Sequence, residues 1–295
     1  SYSVTGVQTC ALPISLSPDQ NLAAQHQYEW PCFHGPDRTN KSSETGLLQK
    51  WPAGGPRLLY TFEGLGEGYS SVSIADGLLY TAGSVNKQPF VYAFDLKGKL
   101  VWKKPVGKAW TTTASWASSY TGPRSTPAYD NGVVYFLGEM GRLVAFEAKT
   151  GKEIWQRDLM EEFNAPVPEY GYAESVMIDG NNLYVRPAGK KGHQVCLDQK
   201  TGKLIWANTR IPGIEGYTSP VTGMIGNFKQ LTGASAICYY GVETKTGRLL
   251  WTIDVVNQQE CNIGDDIYCD KYVFISSGYA KGSILYKRNI AGIER

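Results

Sequence analysis

The sequence has few of the residues that metal sites and disulfide frameworks need. Its 3 histidines form no H-x-x-x-H pair, and its 6 cysteines show neither C-x-x-C nor C-x-x-C-H spacing. No apolar run approaches the roughly eighteen residues of a membrane span. With 29 basic and 27 acidic residues, the net charge of +2 is too small to favour nucleic acid or an anionic membrane as a partner.

Motifs for phosphate binding and for nucleophilic catalysis are also missing. No G-x-x-x-x-G-K-[ST] loop and no G-x-S-x-G elbow occurs. The chain does contain 33 Gly, 15 Pro and many aromatic residues (8 Trp, 19 Tyr and 9 Phe), at 42% hydrophobic content. That composition is typical of a turn-rich globular protein rather than a disordered one.

A seven-residue phrase that ends in Trp returns four times. It reads LKGKLVW, KTGKEIW, KTGKLIW and KTGRLLW, and the Trp-to-Trp spacings are 53, 51 and 45 residues. The four tryptophans are Trp102, Trp155, Trp206 and Trp251. Before each phrase lie three short β-rich runs, separated by turn dipeptides such as Asp76-Gly77. Four antiparallel strands per period predict an all-β fold, a β-propeller of four-stranded blades.

The repeat region is expected to be incomplete at both ends. A fifth unit begins at Asn262 and ends after GSILYKR without a fourth strand. At 57–64 the run RLLYTFEG aligns with a fourth strand, with Tyr60 at the Trp position, but it has no first three strands. Because propellers commonly close by adding an N-terminal strand to the last blade, we expect a truncated arc of four full blades and a partial fifth.

The first fourteen residues stand apart from the rest. The run VTGVQTCALPI, at 4–14, resembles the translation of a sequencing-library adaptor, so residues 1–14 are expected to be an assembly artefact. The expected organisation is then an N-terminal extension over 15–56 and an incomplete propeller over 57–295. No signal peptide is visible in the sequence that follows the artefact.

The turn, the A-(L/F)-D run and the T-G-K-x-x-W phrase together resemble the pyrroloquinoline-quinone-like (PQQ-like) β-propeller repeat family. The resemblance covers about residues 28–288. The stretch from Trp30 to Pro56 is similar to the W-P-x-F-R-G-P-x-R opening of exported bacterial members, with His34 where Arg is usual. The resemblance implies a periplasmic or secreted protein. The family includes quinoprotein dehydrogenases and an outer-membrane assembly lipoprotein, so the repeat is specific for fold and weak for function.

Aromatic residues accumulate in the long loops, which should share one face of the propeller. The predicted binding residues among them are Trp110, Trp116, Tyr172 and Tyr217. Exposed rings of this kind often mark binding surfaces, and a protein, a glycan or a small polar ligand would suit them. The alternative is that the rings pack the loops against one another.

Polar residues converge where the first strands should line the central channel. The candidates are Arg124, Glu174, Asn262 and Asp265, with Asp266 beside the last. Carboxylate and amide oxygens suit calcium, and a guanidinium suits an orthoquinone acid. However, the vicinal disulfide of the alcohol-oxidising quinoproteins is missing, and a hydrated channel needs no cofactor.

The sequence favours a non-catalytic, exported scaffold that binds a partner through its loop face, as the assembly lipoprotein of the resembling family does. No cofactor, no metal and no catalytic residue are then expected. The alternative is a PQQ-dependent quinoprotein that oxidises an alcohol or a sugar with calcium in the channel.

Overall fold

The fold is described by a computed structural model over residues 29–115, 117–225, 228–269, 272–289 and 292–294. Within those ranges the chain forms twenty β-strands, arranged as five four-stranded antiparallel sheets, and one α-helix of five residues. The prediction of an all-β fold with four-stranded blades is confirmed. Residues 1–14, predicted to be an adaptor artefact, lie outside the described residues.

The strands of each sheet, or blade, follow the chain in order, so each blade is a meander of three hairpins. Blade 1 contains β1 (Ser73–Ala75), β2 (Leu78–Val85), β3 (Gln88–Asp95) and β4 (Leu100–Pro105). Blade 2 contains β5 (Ala128–Asp130), β6 (Val133–Leu137), β7 (Arg142–Glu147) and β8 (Glu153–Asp158), followed by helix α1 (Leu159–Phe163). Blade 3 contains β9 (Met177–Asp179), β10 (Asn182–Val185), β11 (Gln194–Asp198) and β12 (Leu204–Asn208).

The last two blades follow the same order. Blade 4 contains β13 (Val221–Ile225), β14 (Phe228–Ala234), β15 (Cys238–Glu243) and β16 (Leu249–Asp254). Blade 5 contains β17 (Ile267–Cys269), β18 (Tyr272–Ser277), β19 (Gly282–Asn289) and β20 (Gly292–Glu294). The sequence predicts three strands in blade 5, and the structure adds the three-residue β20, which pairs with the end of β19.

Turn chemistry explains the first hairpin of the blades. In blade 1, Asp76 (φ 50°) and Gly77 (φ 74°) are both left-handed, and in blade 2 Asn131 (φ 46°) and Gly132 (φ 82°) are too. A two-residue turn with two positive φ angles matches the right-handed twist of the strands that it joins. These dipeptides therefore favour the tight first hairpins of blades 1 and 2.

The middle strands of blades 1 to 4 are largely buried on both faces, whereas in blade 5 the residues of β18 alternate between buried and exposed. In β2 every residue from Leu79 to Ser84 is buried, whereas in β4 only Trp102 is. Blades pack face to face, so a middle strand has a neighbouring blade on each side while an outer strand borders solvent. The hydrophobic core accordingly lies between consecutive blades, as in the cluster that joins blades 2 and 3.

Three of the repeated tryptophans join consecutive blades in the same way. Each indole N–H donates a hydrogen bond to a carbonyl in the third hairpin of the following blade. The pairs are Trp102 with Ala148 (2.7 Å), Trp155 with Gln199 (2.9 Å) and Trp206 with Thr244 (2.9 Å). At Gly247 an added Cβ would lie 2.4 Å from the Trp206 ring, so this turn needs glycine for close approach as well as for its φ of 73°.

Trp251 and Tyr60 vary this arrangement. Trp251 donates to Oε1 of Gln230 in its own blade (2.8 Å), so its N–H makes no bond to blade 5, although its ring packs against the hydrophobic cluster between blades 4 and 5. Tyr60 lies against Gly98 of blade 1, and a Cβ added at Gly98 would be 3.6 Å from the Tyr60 ring. The other three tryptophans lie against the equivalent turn glycines of the following blades, so Tyr60 is where its alignment with them predicts. Residues 57–66 nevertheless form no strand. In each blade the fourth strand pairs with the third, and among the described residues no such partner strand lies beside 57–66.

Candidate binding surface and channel

The connections between blades lie together on one end of the propeller, which we call the loop face. They are residues 106–127, 164–176, 209–220 and 255–266. Each connection carries at least one large apolar side chain that is exposed to solvent. These side chains are Tyr120, Val167, Ile214, Val256 and Ile263, and Tyr69 precedes the first blade in the same position. A face with repeated exposed apolar groups is a candidate interaction surface.

Five side chains form an aromatic–arginine cluster on this face: Tyr69, Trp110, Arg124, Tyr170 and Tyr217. The Arg124 guanidinium lies 5.3 Å from the Tyr69 ring centroid and 5.5 Å from that of Trp110. The Trp110 and Tyr170 centroids are 6.4 Å apart, and Tyr170 meets Tyr217 edge-on at 5.7 Å. Cation–π and edge-to-face contacts of this geometry favour a defined arrangement of the cluster.

Arg124 is half-buried and is held by the backbone of its own loop. Its guanidinium donates to the carbonyls of Gly122 (3.3 Å) and Tyr120. Burial lowers the pKa of Arg124, and the nearby Glu139 carboxylate opposes that shift. Glu139 in turn accepts the backbone N–H of Trp110 (2.8 Å), and its own burial raises its pKa. The predicted residues Arg124, Trp110 and Tyr217 are thus brought together by the fold.

The structure places two other predicted residues differently. Tyr172 is fully buried in the core between blades 2 and 3, and its hydroxyl donates to the carbonyl of Pro187 (2.8 Å). Tyr172 therefore packs the loops against one another, which was the alternative to a binding role for the loop aromatics. Trp116 lies outside the described residues.

Asn262 is a buried brace between blades 4 and 5. Its amide nitrogen donates to the carbonyls of Ser235 (3.0 Å), Ala236 (3.3 Å) and Val255 (2.9 Å). Its amide oxygen accepts the hydroxyl of Ser277 (2.9 Å). Because these contacts occupy the donors and the acceptor of a fully buried side chain, Asn262 has no group left for a ligand.

Glu174 belongs to a buried ion pair that the sequence pattern did not indicate. Its carboxylate lies 3.2 Å from the guanidinium of Arg186, and both side chains are fully buried. Arg186 also donates to the carbonyl of Thr218 (2.6 Å) and of Gly216 (3.1 Å), which belong to the next blade connection. Burial raises the pKa of Glu174 to about 7, against the opposing effect of Arg186. This pair ties blade 3 to blade 4.

Asp265 ends a belt of hydrogen bonds that crosses four blades at equivalent positions, each two residues before a first strand. Within the belt a backbone N–H donates to the side chain at the same position in the next blade. The bonds run from Thr126 to Ser175 (2.9 Å), from Ser175 to Ser219 (3.0 Å) and from Ser219 to Asp265 (2.7 Å). Burial raises the pKa of Asp265 to about 7, and Arg38 opposes the shift.

Residues 29–38, part of the predicted N-terminal extension, contact all five blades, at the first strands of blades 1 and 2 and just before the first strands of blades 3, 4 and 5. Trp30 pairs with Ile74 of β1, and the carbonyl of Pro31 accepts the N–H of Tyr129 in β5 (2.8 Å). The other contacts involve two side chains of the same segment. His34 lies 3.5 Å from Asp265, and the buried Arg38 donates to the carbonyls of Ser175, Val176 and Pro220. Sequence periodicity could not reveal this arrangement because the segment contains no repeat.

The family of this fold follows from comparison with known proteins. A family model described as "Outer membrane protein assembly factor BamB" matches residues 64–286, which is most of the chain. The chain belongs to this PQQ-like β-propeller family. Among curated relatives, the quinoprotein alcohol dehydrogenase PedH of Pseudomonas putida is 30% identical over 149 residues, 46% of this chain and 24% of that protein. The outer membrane protein assembly factor BamB of Nitrosomonas eutropha is 29% identical over 130 residues, 44% of this chain and 28% of that protein.

Solved structures of the family share the fold at low sequence identity. BamB from Moraxella catarrhalis superposes with a TM-score of 0.53 at 14% identity and covers 78% of this chain and 63% of its own. A europium-containing methanol dehydrogenase gives 0.59 at 12% identity, with 91% and 60% coverage. The chain spans about a quarter of the length of PedH and of the Nitrosomonas BamB. These comparisons show the fold and the family.

The channel residues do not fit the quinone and calcium that some PQQ-like proteins bind. The Glu174 carboxylate is paired with Arg186, the amide of Asn262 is fully bonded, and Asp265 is engaged by Ser219 and His34. Arg38 is bonded to three carbonyls at the same level of the channel. Among the described residues, no group of three or more His, Cys, Asp or Glu could hold a metal ion. The groups predicted to bind PQQ and calcium are instead held by other residues of the chain.

Proposed function

We propose that this protein is an exported, non-catalytic propeller whose loop face binds a protein partner through the aromatic–arginine cluster. The observation that carries the proposal is the composition of that cluster. Tyr, Trp and Arg are the residues that contribute most binding free energy at protein interfaces, above all where buried rings support a partly exposed rim. Here Trp110 is 2% exposed and Tyr69 is 53% exposed, so the cluster has a fixed base and an accessible rim.

The family relationships support the protein-binding role. The matching family model and one curated relative carry the name of an outer membrane protein assembly factor, whose activity is to act on other proteins. A location in the periplasm or outside the cell is proposed on the same relationship. Among the described residues, no helix has the length and apolar character that crossing a membrane requires.

Site-directed photo-crosslinking tests the proposal. A benzophenone amino acid placed at Tyr120, on the loop face, should form one defined crosslinked complex with a cell-envelope protein in the native host. Leu96 is the matched control, because it is apolar and equally exposed but lies in the third hairpin of blade 1, at the opposite end of the propeller. Arg124→Ala should abolish the Tyr120 complex.

Two results would contradict the proposal. Crosslinked complexes formed in equal yield at Tyr120 and at Leu96 would show that binding of the partner does not depend on the loop face. A Tyr120 complex that persists unchanged in Arg124→Ala would show that the cluster does not contribute to recognition.

Sequence similarity to PedH favours a second candidate, a PQQ-dependent dehydrogenase acting on an alcohol or a sugar. The test is to add PQQ and Ca²⁺ to the purified protein and to measure the quinone absorbance and the reduction of an acceptor dye. A shifted absorbance with substrate-dependent dye reduction would establish the enzyme and replace the non-catalytic proposal.

A further inference from the structure

A cavity of about 510 Å³ opens on the loop face between blades 3 and 4. It shares no residue with the aromatic–arginine cluster. Its walls come from the end of α1, from the connection between β10 and β11, and from the connection between blades 3 and 4. The polar side chains that line it are Asn164, Lys190, His193 and Thr209, and the apolar ones include Pro166, Ile211 and Ile214. None of the described residues that line the cavity is acidic.

His193 lies at the base of this cavity with unused hydrogen-bonding groups. The side chain is 3% exposed, and neither ring nitrogen makes a hydrogen bond of good geometry among the described residues, although the backbone of Gly213 and Ile214 lies close enough to interact with the ring. The ring packs edge-on against Tyr240, with centroids 5.9 Å apart. Burial and the nearby Arg186 charge lower the pKa of His193 to about 3, against the opposing effect of the Ile214 and Gly213 backbone, so at neutral pH the ring is uncharged, with one donor and one acceptor nitrogen. A buried polar group without a partner is costly unless a ligand satisfies it.

The walls of the cavity are held by backbone contacts. The N–H groups of Lys190 and Lys191 donate to the carbonyls of Asn164 (3.3 Å) and Phe163 (3.0 Å), which clip the β10–β11 connection onto the end of α1. On the other side, the Asn208 side chain accepts the N–H of Ile211 (3.2 Å). A cavity with fixed walls needs little reorganisation when a ligand binds.

We propose that this cavity binds a carboxylate attached to a short aliphatic group, either as a free small molecule or as the C-terminus of a polypeptide. The Lys190 ammonium at the rim pairs with the carboxylate. The His193 ring hydrogen-bonds to the ligand, and Pro166, Ile211 and Ile214 contact the aliphatic group. The site is additional to the protein-binding role proposed for the loop face.

Isothermal titration calorimetry with three probes tests the proposal on the full chain. The probes are acetyl-Ala-Leu with a free carboxylate, the same dipeptide as its C-terminal amide, and 4-methylpentanoate. The free acid should bind at least about tenfold more tightly than the amide, because a hydrogen-bonded ion pair is lost in the amide. If 4-methylpentanoate binds with an affinity comparable to that of the dipeptide acid, the ligand is a free small molecule. If the dipeptide acid binds much more tightly, the ligand is the C-terminus of a polypeptide.

Neighbouring lysines provide the matched variants. Lys190→Gln should weaken the free acid about tenfold, whereas Lys191→Gln should not, because Lys191 is equally solvent-exposed but does not line the cavity. His193→Phe should abolish binding, and His193→Gln, which keeps a donor and an acceptor, should retain part of it if both variants unfold like the wild type. Equal affinity for acid and amide, no binding of any probe, or equal effects of the two lysine variants would overturn the proposal.

Discussion

Arg186 is the buried charge around which blades 3 and 4 meet. Its guanidinium is fully buried and touches Glu174, Thr218 and Tyr240, while the Glu215 carboxyl lies close enough to interact electrostatically. One guanidinium therefore serves two buried carboxyl groups, and burial raises the pKa of both. Such a group is costly to disrupt, because removing one partner leaves the other charge without compensation.

Substitutions at Glu174 and Arg124 should therefore change the free energy of unfolding by very different amounts. Glu174→Ala should lower the free energy of unfolding by about 3–5 kcal/mol, because it leaves a buried guanidinium without its paired carboxylate. Arg124→Ala should change stability by less than about 1 kcal/mol, since its guanidinium is only half-buried and its partners are carbonyls of its own loop and the rings of Tyr69 and Trp110. Urea unfolding followed by tryptophan fluorescence measures both. Equal losses would mean that Arg124 is an internal brace like Glu174.

The raised pKa of Glu174 also predicts a pH dependence. A carboxyl group whose pKa rises to about 7 on folding binds a proton more tightly in the folded state, so its contribution to stability falls as pH rises from about 4.5 to about 7. Glu174→Gln removes that contribution. The variant should therefore gain stability relative to the wild type between pH 5 and pH 8, by up to about 1.4 kcal/mol per pH unit. A difference that stays constant across urea titrations at pH 5, 6.5 and 8 would contradict this assignment.

At the scale of elements, the belt of hydrogen bonds predicts a cost for changing a single hydroxyl. Ser219→Ala removes the acceptor of the buried Ser175 N–H, which should lower the free energy of unfolding by about 1–3 kcal/mol. Ser118→Ala is the control, because that hydroxyl is exposed and bonds within its own loop. If the two variants unfold at the same urea concentration, the belt does not hold the blades together.

The strands and their order could be predicted from the sequence, whereas much of the site could not. The repeated turns and tryptophans are local signals, and the strands follow them closely. Whether Glu174 or Asn262 would face an open channel depended on partners far away in sequence, namely Arg186 and the backbone around Ser235. The position of a residue at the start of a first strand does not reveal such partners. The grouping of the loop-face rings, by contrast, could be predicted because they lie in neighbouring loops, whereas Arg124, predicted to line the channel, contacts Tyr69 and Trp110 of that group.

At the scale of the whole molecule, the segment at 29–38 should contribute to the stability of every blade. Arg38→Ala removes hydrogen bonds to the carbonyls of Ser175, Val176 and Pro220, and should cost at least about 3 kcal/mol, since bonds from a charged donor contribute about 1.5–3 kcal/mol each. Arg57→Ala, which changes an exposed arginine, is the control. Hydrogen exchange should also quicken at Tyr129, whose N–H bonds to this segment. An unchanged hydrogen-exchange rate at Tyr129 would mean that the segment lies over the blades without stabilising them.

The contacts of this segment have a consequence for the order in which the protein is made. A ribosome releases residues 29–38 before any blade, and each blade then emerges with a first strand that can bind them. Trp30 meets blade 1, Pro31 meets blade 2, Arg38 meets blades 3 and 4, and His34 meets blade 5. Because the segment precedes every blade in the chain, it can act as a template on which successive blades assemble in order, instead of searching for one another.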